Sequence, residues 1–232
     1  MSAIVFSVKS WAAWTPGEGE ADGWLGDALS EAAPPVMLRR RISRLGRQGL
    51  RAAWGLPEKD HARLIFSSRH GEFSRTLSIM DSIAAGTEVS PADFTLSVHH
   101  ALAGLLSIAT HNTEGHTAVS AGDESLFCAL LEGAVCQQER PETPILVAHY
   151  DEPLPAPYDA FGHGEDETVA LALSLDCQGR DYRLSWEPSA QGGTPGFRPA
   201  ESVLRLLDGV TQSAVFAGER LTWTIERLDA AA

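Results

Sequence analysis

The 232-residue chain is 44% hydrophobic and 21% charged, and its 18 basic and 31 acidic side chains give a net charge of −13. Those values exclude a disordered, collagen-like or coiled-coil chain. They also argue against a duplex-binding domain, which would repel nucleic acid unless its basic groups were segregated. The length suits a single domain of ordinary size spanning residues 1–232.

Residues 3–9 read as an opening strand. The Gly-, Pro- and acid-rich stretch 15–35 reads as a long loop. Residues 37–54 carry Leu38, Ile42, Leu45, Leu50 and Ala53 at helical spacing, with Arg39, Arg40, Arg41, Arg44, Arg47 and Arg51 around them. That pattern predicts an amphipathic helix with a basic face. Residues 63–68 form a short buried strand. Residues 73–85 form a helix that Gly86 terminates. Ser90-Pro91 is an N-cap followed by Pro at the first helical position. A small-residue apolar helix covers 101–109, a strand 117–121, and a helix apolar nearly all round 124–138. The run Ile145-Leu146-Val147-Ala148 has the pattern of a central strand.

The last third, 165–232, changes character. Val169, Leu171, Leu173 and Leu175 alternate with small or polar residues, and Tyr182, Leu184 and Trp186 do the same after Gly179. This predicts a β-hairpin. A Gly/Pro loop containing Gly192-Gly193 follows, then a short helix at 201–207 and a final strand at 221–225. The strand–helix–strand order over 60–150 predicts an α/β layer around a parallel or mixed sheet.

No run approaches the roughly 18 apolar residues of a membrane span. Met1–Lys9 lacks the basic start of a signal peptide. The three cysteines, Cys128, Cys136 and Cys177, have no paired spacing, so a reducing cytoplasm is the expected compartment. Cys128 and Cys136 fall inside the 124–138 helix, where packing is a better reading than catalysis. The stretch His111-Asn112-Thr113-Glu114-Gly115-His116 matches no zinc spacing and reads as a loop. His99 and His100 are adjacent and point apart, so no metal and no cofactor is expected. No G-x-S-x-G elbow, P-loop or dinucleotide fingerprint is present. The Arg-rich helix is either a solvated face or a dock for an acidic partner.

Several segments together resemble a known family. They are Ser68-Arg69-His70-Gly71-Glu72, Ser90 to Gly104 (SPADFTLSVHHALAG), Thr117-Ala118-Val119-Ser120-Ala121-Gly122 and Tyr150-Asp151-Glu152-Pro153-Leu154-Pro155. With the Arg-rich segment, the likeness spans about 37–158. It is similar to the N-terminal half of β-ketoacyl-acyl-carrier-protein synthases, and more closely to the chain length factors of aryl polyene clusters. His100 departs from the pattern, which more often has Asn there.

The resemblance implies the N-terminal half of a thiolase-like fold, with a mixed central sheet, buried helices and a C-terminal hairpin, the part at 165–232 being curtailed. It places Asp123, with Gly122 beside it, where an active synthase presents its nucleophilic Cys at a helix start. Neither residue can form a thioester, and Asp123 there reads as an N-cap. All eight histidines lie at or before His163, so nothing beyond supplies the two distal histidines of the chemistry. The implied function is a non-catalytic chain length factor. It would pair with a full-length β-ketoacyl-ACP synthase and shape its acyl tunnel. His111, Thr117, Ala118, Val119, Ser120, Ala121 and Ser125 are the expected interface. Arg39, Arg40, Arg41 and Arg44 are the expected contact for acyl carrier protein. Leu102, Leu105 and Leu106 are tunnel candidates. Two other readings remain: a freestanding Cys-dependent acyltransferase or hydrolase, and a non-enzymatic module gripping an acidic partner through the Arg-rich helix.

Overall fold

Period-two apolar patterning builds the centre of this protein. In the computed structural model, which describes residues 2–16, 23–28, 33–162, 168–189 and 198–228, nine strands form one mixed sheet. They are β1 (Ser2–Thr15), β2 (Gly23–Gly26), β3 (Arg63–Ser67), β4 (His116–Val119), β5 (Ile145–Asp151), β6 (Val169–Leu175), β7 (Arg180–Pro188), β8 (Ser213–Ala217) and β9 (Leu221–Arg227). The order is β4-β3-β5-β6-β1-β7-β9-β8, with β2 paired to β1. β4, β3 and β5 are parallel, and the remaining pairings are antiparallel. His163, Gly192 and Gly193 lie outside the described residues.

Helices cover both faces. They are α1 (Val36–Arg39), α2 (Arg44–Gly55), α3 (Phe73–Ala84), α4 (Pro91–Ser97), α5 (Ala101–Thr110), α6 (Ser125–Glu139) and α7 (Pro199–Leu207). On one face Leu64, Phe66, Leu146, Ala148 and Tyr150 pack with Leu50 and Ala53 of α2 and Leu102 and Leu106 of α5. On the other, Ile65, Ile145, Val147, Leu173 and Leu184 pack with Leu126, Phe127 and Leu130 of α6 and Val203 and Leu206 of α7. Each such large side chain contributes about 1.5–3 kcal/mol when fully buried. The predicted terminators are in place: Gly86 has φ +67°, and Ser90 Oγ accepts from the Asp93 amide at the start of α4.

Four expectations need correction. The 169–186 hairpin does not form, because β1 lies between β6 and β7. β6 pairs with residues 8–14 of β1, and β7 pairs with residues 2–8. The short connection between them carries the chain from one edge of β1 to the other. Gly179 sits there, and a Cβ on it would lie 2.3 Å from the Val8 carbonyl carbon, so only glycine fits the crossing. The C-terminal hairpin is instead β8–β9, whose first strand the sequence reading missed. Second, the opening strand runs on to Thr15. Third, the 15–35 loop contains β2, held against β1 in register Ala12↔Gly26 to Thr15↔Gly23.

Fourth, the 37–54 helix is two helices. Ser43 breaks it: its Oγ accepts from the Gly46 amide at 2.8 Å and donates to Glu72 Oε1 at 2.8 Å. A serine with both partners at hand caps a new helix rather than continuing the old one.

Candidate functional site

The parallel strands β3, β4 and β5 end together, and loops at such carboxyl ends are where open α/β sheets build sites. After β4 the chain makes a tight turn into α6. Gly122 takes φ +60° there, which a larger residue adopts only with strain. Ser125 Oγ donates to the Gly122 carbonyl at 2.6 Å and accepts from the Ala121 amide at 2.9 Å, locking the turn from inside.

Asp123 does not cap α6. The N-cap position is Glu124, and no side chain closes it. Asp123 instead meets the Arg69 guanidinium, Oδ1 to Nη1 at 2.8 Å, with both side chains mostly buried. Glu124 turns away to accept from the Arg220 amide (2.9 Å), the Leu221 amide (3.3 Å) and Trp223 Nε1 (3.1 Å). That ties the start of α6 to the β8–β9 connection.

Asp151, ending β5, organises the loop after β3. It accepts from Ser68 Oγ at 2.9 Å, from the Arg69 amide at 2.8 and 3.0 Å, and from the His70 amide at 3.3 Å. Beneath it Ser67 Oγ lies 2.9 Å from His149 Nδ1, and His149 Nε2 lies 3.4 Å from Asp151 Oδ2. Burial lowers the His149 pKa below the ordinary imidazole value, although Asp151 pulls the other way. So the ring stays neutral. Serine, histidine and aspartate are lined up, but Ser67 and His149 are buried and Asp151 is engaged by the amides of the loop after β3. The same loop reaches α2 through Glu72, whose carboxyl is pushed up by burial, with the Ser43 bond opposing.

The two cysteines of α6 offer no thiolate. Burial, with Glu124 adding to it, raises the Cys128 thiol, and burial and Glu132 raise Cys136. An activated nucleophile needs the opposite shift. Cys128 lines a groove of about 620 Å³ with Ile4, Val5, Leu131, Val135 and Trp186, while Cys177 is exposed in the β6–β7 connection. Among the described residues no three His, Cys, Asp or Glu side chains are grouped to hold a metal ion, and no helix is long and apolar enough to cross a membrane.

Residues 11–224 match the β-ketoacyl synthase N-terminal domain family. The chain belongs to that family. Among solved structures, the ketosynthase ApeO in complex with its chain length factor ApeC from Xenorhabdus doucetiae is similar, with a TM-score of 0.76 and 23% identity, over 97% of this chain and 100% of that one. The ishigamide ketosynthase/chain length factor gives 0.58 and 15%, over 81% and 68%. A β-ketoacyl synthase from Burkholderia phymatum STM815 gives 0.59 and 13%, over 91% and 71%. These likenesses carry the thiolase-like ketosynthase fold. Among curated proteins none matches.

Within this ketosynthase-family frame the expected site residues scatter. His111 is an exposed α5 cap with φ 56°. Thr117, Ala118 and Val119 are half-buried on β4, the edge strand of the described sheet, and Ser120 and Ala121 are exposed beyond it. Ser125 is buried, its hydroxyl engaged within the turn. Leu102 and Leu106 are buried beside α2, with Leu105 packed against them. Arg39, Arg40, Arg41 and Arg44 are exposed, but Arg44 stands 5.8 Å over Trp14, and Arg51 stands 4.4 Å over Trp24. Sequence reasoning missed His149, which sits in an apolar strand and carries no local signal. It quoted Arg69 and Asp151 without seeing that Arg69 meets the turn and that Asp151 holds the loop carrying Arg69.

Proposed function

We propose that this chain is a silent ketosynthase-like subunit, a chain length factor that pairs with a catalytically complete β-ketoacyl-ACP synthase. The observation that carries this reading is the Arg69–Asp123 ion pair at the start of α6. In the family reading, this is where an active synthase presents its thiol. A carboxylate has no sulfur on which to hold an acyl group as a thioester, and neither of the two cysteines inside α6 is activated. The likeness to ketosynthase–chain length factor complexes supports the pairing.

On this reading the partner condenses malonyl units on acyl carrier protein, in aryl polyene or related polyketide-type synthesis in the cytoplasm. This subunit stabilises the partner and walls part of the acyl tunnel, with Leu102, Leu105 and Leu106 as candidate lining. Contact with the partner runs through the β4 edge, from His111 to Ala121. The exposed Arg39–Arg41 segment faces the carrier protein.

The test is co-expression with a full-length ketosynthase encoded beside it. The two should co-purify at one to one, and the pair should condense malonyl-ACP where this chain alone does not. A chain that stays monomeric and ignores that ketosynthase, or that takes up an acyl group by itself, overturns the reading.

A further inference from the structure

The sequence offers two histidine pairs, His99-His100 and His111…His116, and neither can chelate. The fold makes a third pair that no local spacing reveals. His100 stands at the start of α5 and His116 at the start of β4, with Nδ1 atoms 3.1 Å apart and ring centroids 5.2 Å apart. Both side chains are exposed.

We propose that His100 and His116 form a two-imidazole site for a divalent late first-row metal ion such as Zn2+. Two nitrogens bound to one zinc at about 2.0–2.1 Å, with bond angles near 90–109°, lie roughly 2.9–3.4 Å apart. The observed 3.1 Å falls inside that range. Without metal, the contact requires one ring to carry its proton on Nδ1 and donate it to the other's lone pair. An ion replaces that proton, and both lone pairs then point inward. Imidazole is a favoured donor for zinc, nickel and copper.

The electrostatics permit it. β4 alternates, so His116 lies on the same face as its register partner Leu64, over which α5 packs. Thr117 faces the other way, where Arg63 Nη2 bonds its hydroxyl at 3.2 Å. The nearest guanidinium on the neighbouring strand is therefore engaged on the opposite side of the sheet. Water or another molecule completes the coordination shell, because no third His, Cys, Asp or Glu among the described residues joins the pair. A bound ion clips the start of α5 to the edge strand. It therefore stabilises the folded chain by an amount that rises with the logarithm of the ion concentration above its dissociation constant. This inference does not depend on the functional reading above.

The experiment uses the full chain carrying Cys177→Ser, which removes the exposed thiol as a competing ligand. Equilibrium dialysis against Zn2+ should find one equivalent bound, and Zn2+ should raise the melting temperature. His100→Ala and His116→Ala should each weaken binding about tenfold or more and abolish the thermal shift. His61→Ala, at a ring paired with Asp60, should change neither. If either alanine variant melts differently without metal, the Gln replacement at the same position takes its place. Absence of Zn2+ binding, binding not weakened by either substitution, or equal loss in His61→Ala overturns the site.

Discussion

Arg69 and Asp123 are joined across the gap between the loop after β3 and the turn after β4, at 2.8 Å. Two segments far apart in sequence are thereby clamped at the head of α6. Asp123→Ala should remove the pair at a cost of about 1 kcal/mol, the upper part of the range for partly exposed ion pairs. In the assembled complex with an active synthase, condensation should persist. Urea melts and a malonyl-ACP assay check the two halves. Loss of condensation with the complex intact would mean that Asp123 has a chemical role.

The crossing of β1 rests on Gly179. Gly179→Ala would drive a methyl group into the Val8 backbone, which cannot move aside as a side chain could. The expected loss is about 1–3 kcal/mol, typical of overpacking, read as a lower urea midpoint with an unchanged slope.

The neutral, buried His149 makes stability fall with acid. Its folded pKa lies below the unfolded value near 6.5, so the unfolded chain takes up the proton first. The contribution is complete above about pH 6.5 and is lost as pH falls through that value, by at most about 1.4 kcal/mol per pH unit. The comparison is with His149→Gln across pH 7 to 5. The difference in unfolding free energy between the two proteins should shrink as pH falls.

The arginines of the basic segment divide into two groups. Arg44 and Arg51 stack on Trp14 and Trp24, so replacing either with Ala should cost about 0.5–1 kcal/mol of stability. Arg39, Arg40 and Arg41 are exposed at the end of α1 and just past it. Their triple replacement by Glu should leave the melting temperature nearly unchanged and weaken carrier-protein binding, most strongly at low salt. Binding titrations at two ionic strengths settle it.

Glu124 is a buried carboxyl at the N-cap of α6. Its carboxylate satisfies two amides and an indole. Glu124→Ala should leave those donors without their acceptor and destabilise by at least about 3 kcal/mol. Glu124→Gln, which keeps one oxygen, should lose less. Thermal melts of the two variants rank them.

Much of this architecture is readable from the chain. The periodicity of 73–85, 101–109 and 124–138 and the apolar run at 145–148 report the elements directly, Gly86 marks the end of the first, and Ser90-Pro91 marks the start of α4. What is not readable is whatever depends on a distant partner. Val169–Leu175 and Tyr182–Trp186 carry identical alternation whether they pair with each other or flank a third strand. Ser43 interrupts a helical pattern because Glu72 stands beside it, and Glu72 is elsewhere in the sequence. Asp123 looks like a cap until Arg69 arrives. His100 and His116 are too far apart in the chain to suggest a pair. Local signals find elements, while the site consists of junctions between elements.

The place of β1 has a consequence for how this protein is made. β1 leaves the ribosome well before β6 and β7, which occupy its two edges and follow only after β3, β4 and β5. Until those two strands emerge, an apolar strand containing Phe6, Val8, Trp11 and Trp14 waits with most of its backbone groups unpaired. Such edges invite pairing with other chains, and closing so long a loop is slow. Yield in the cell should therefore depend on chaperone capacity and growth temperature more than on the stability of the finished fold.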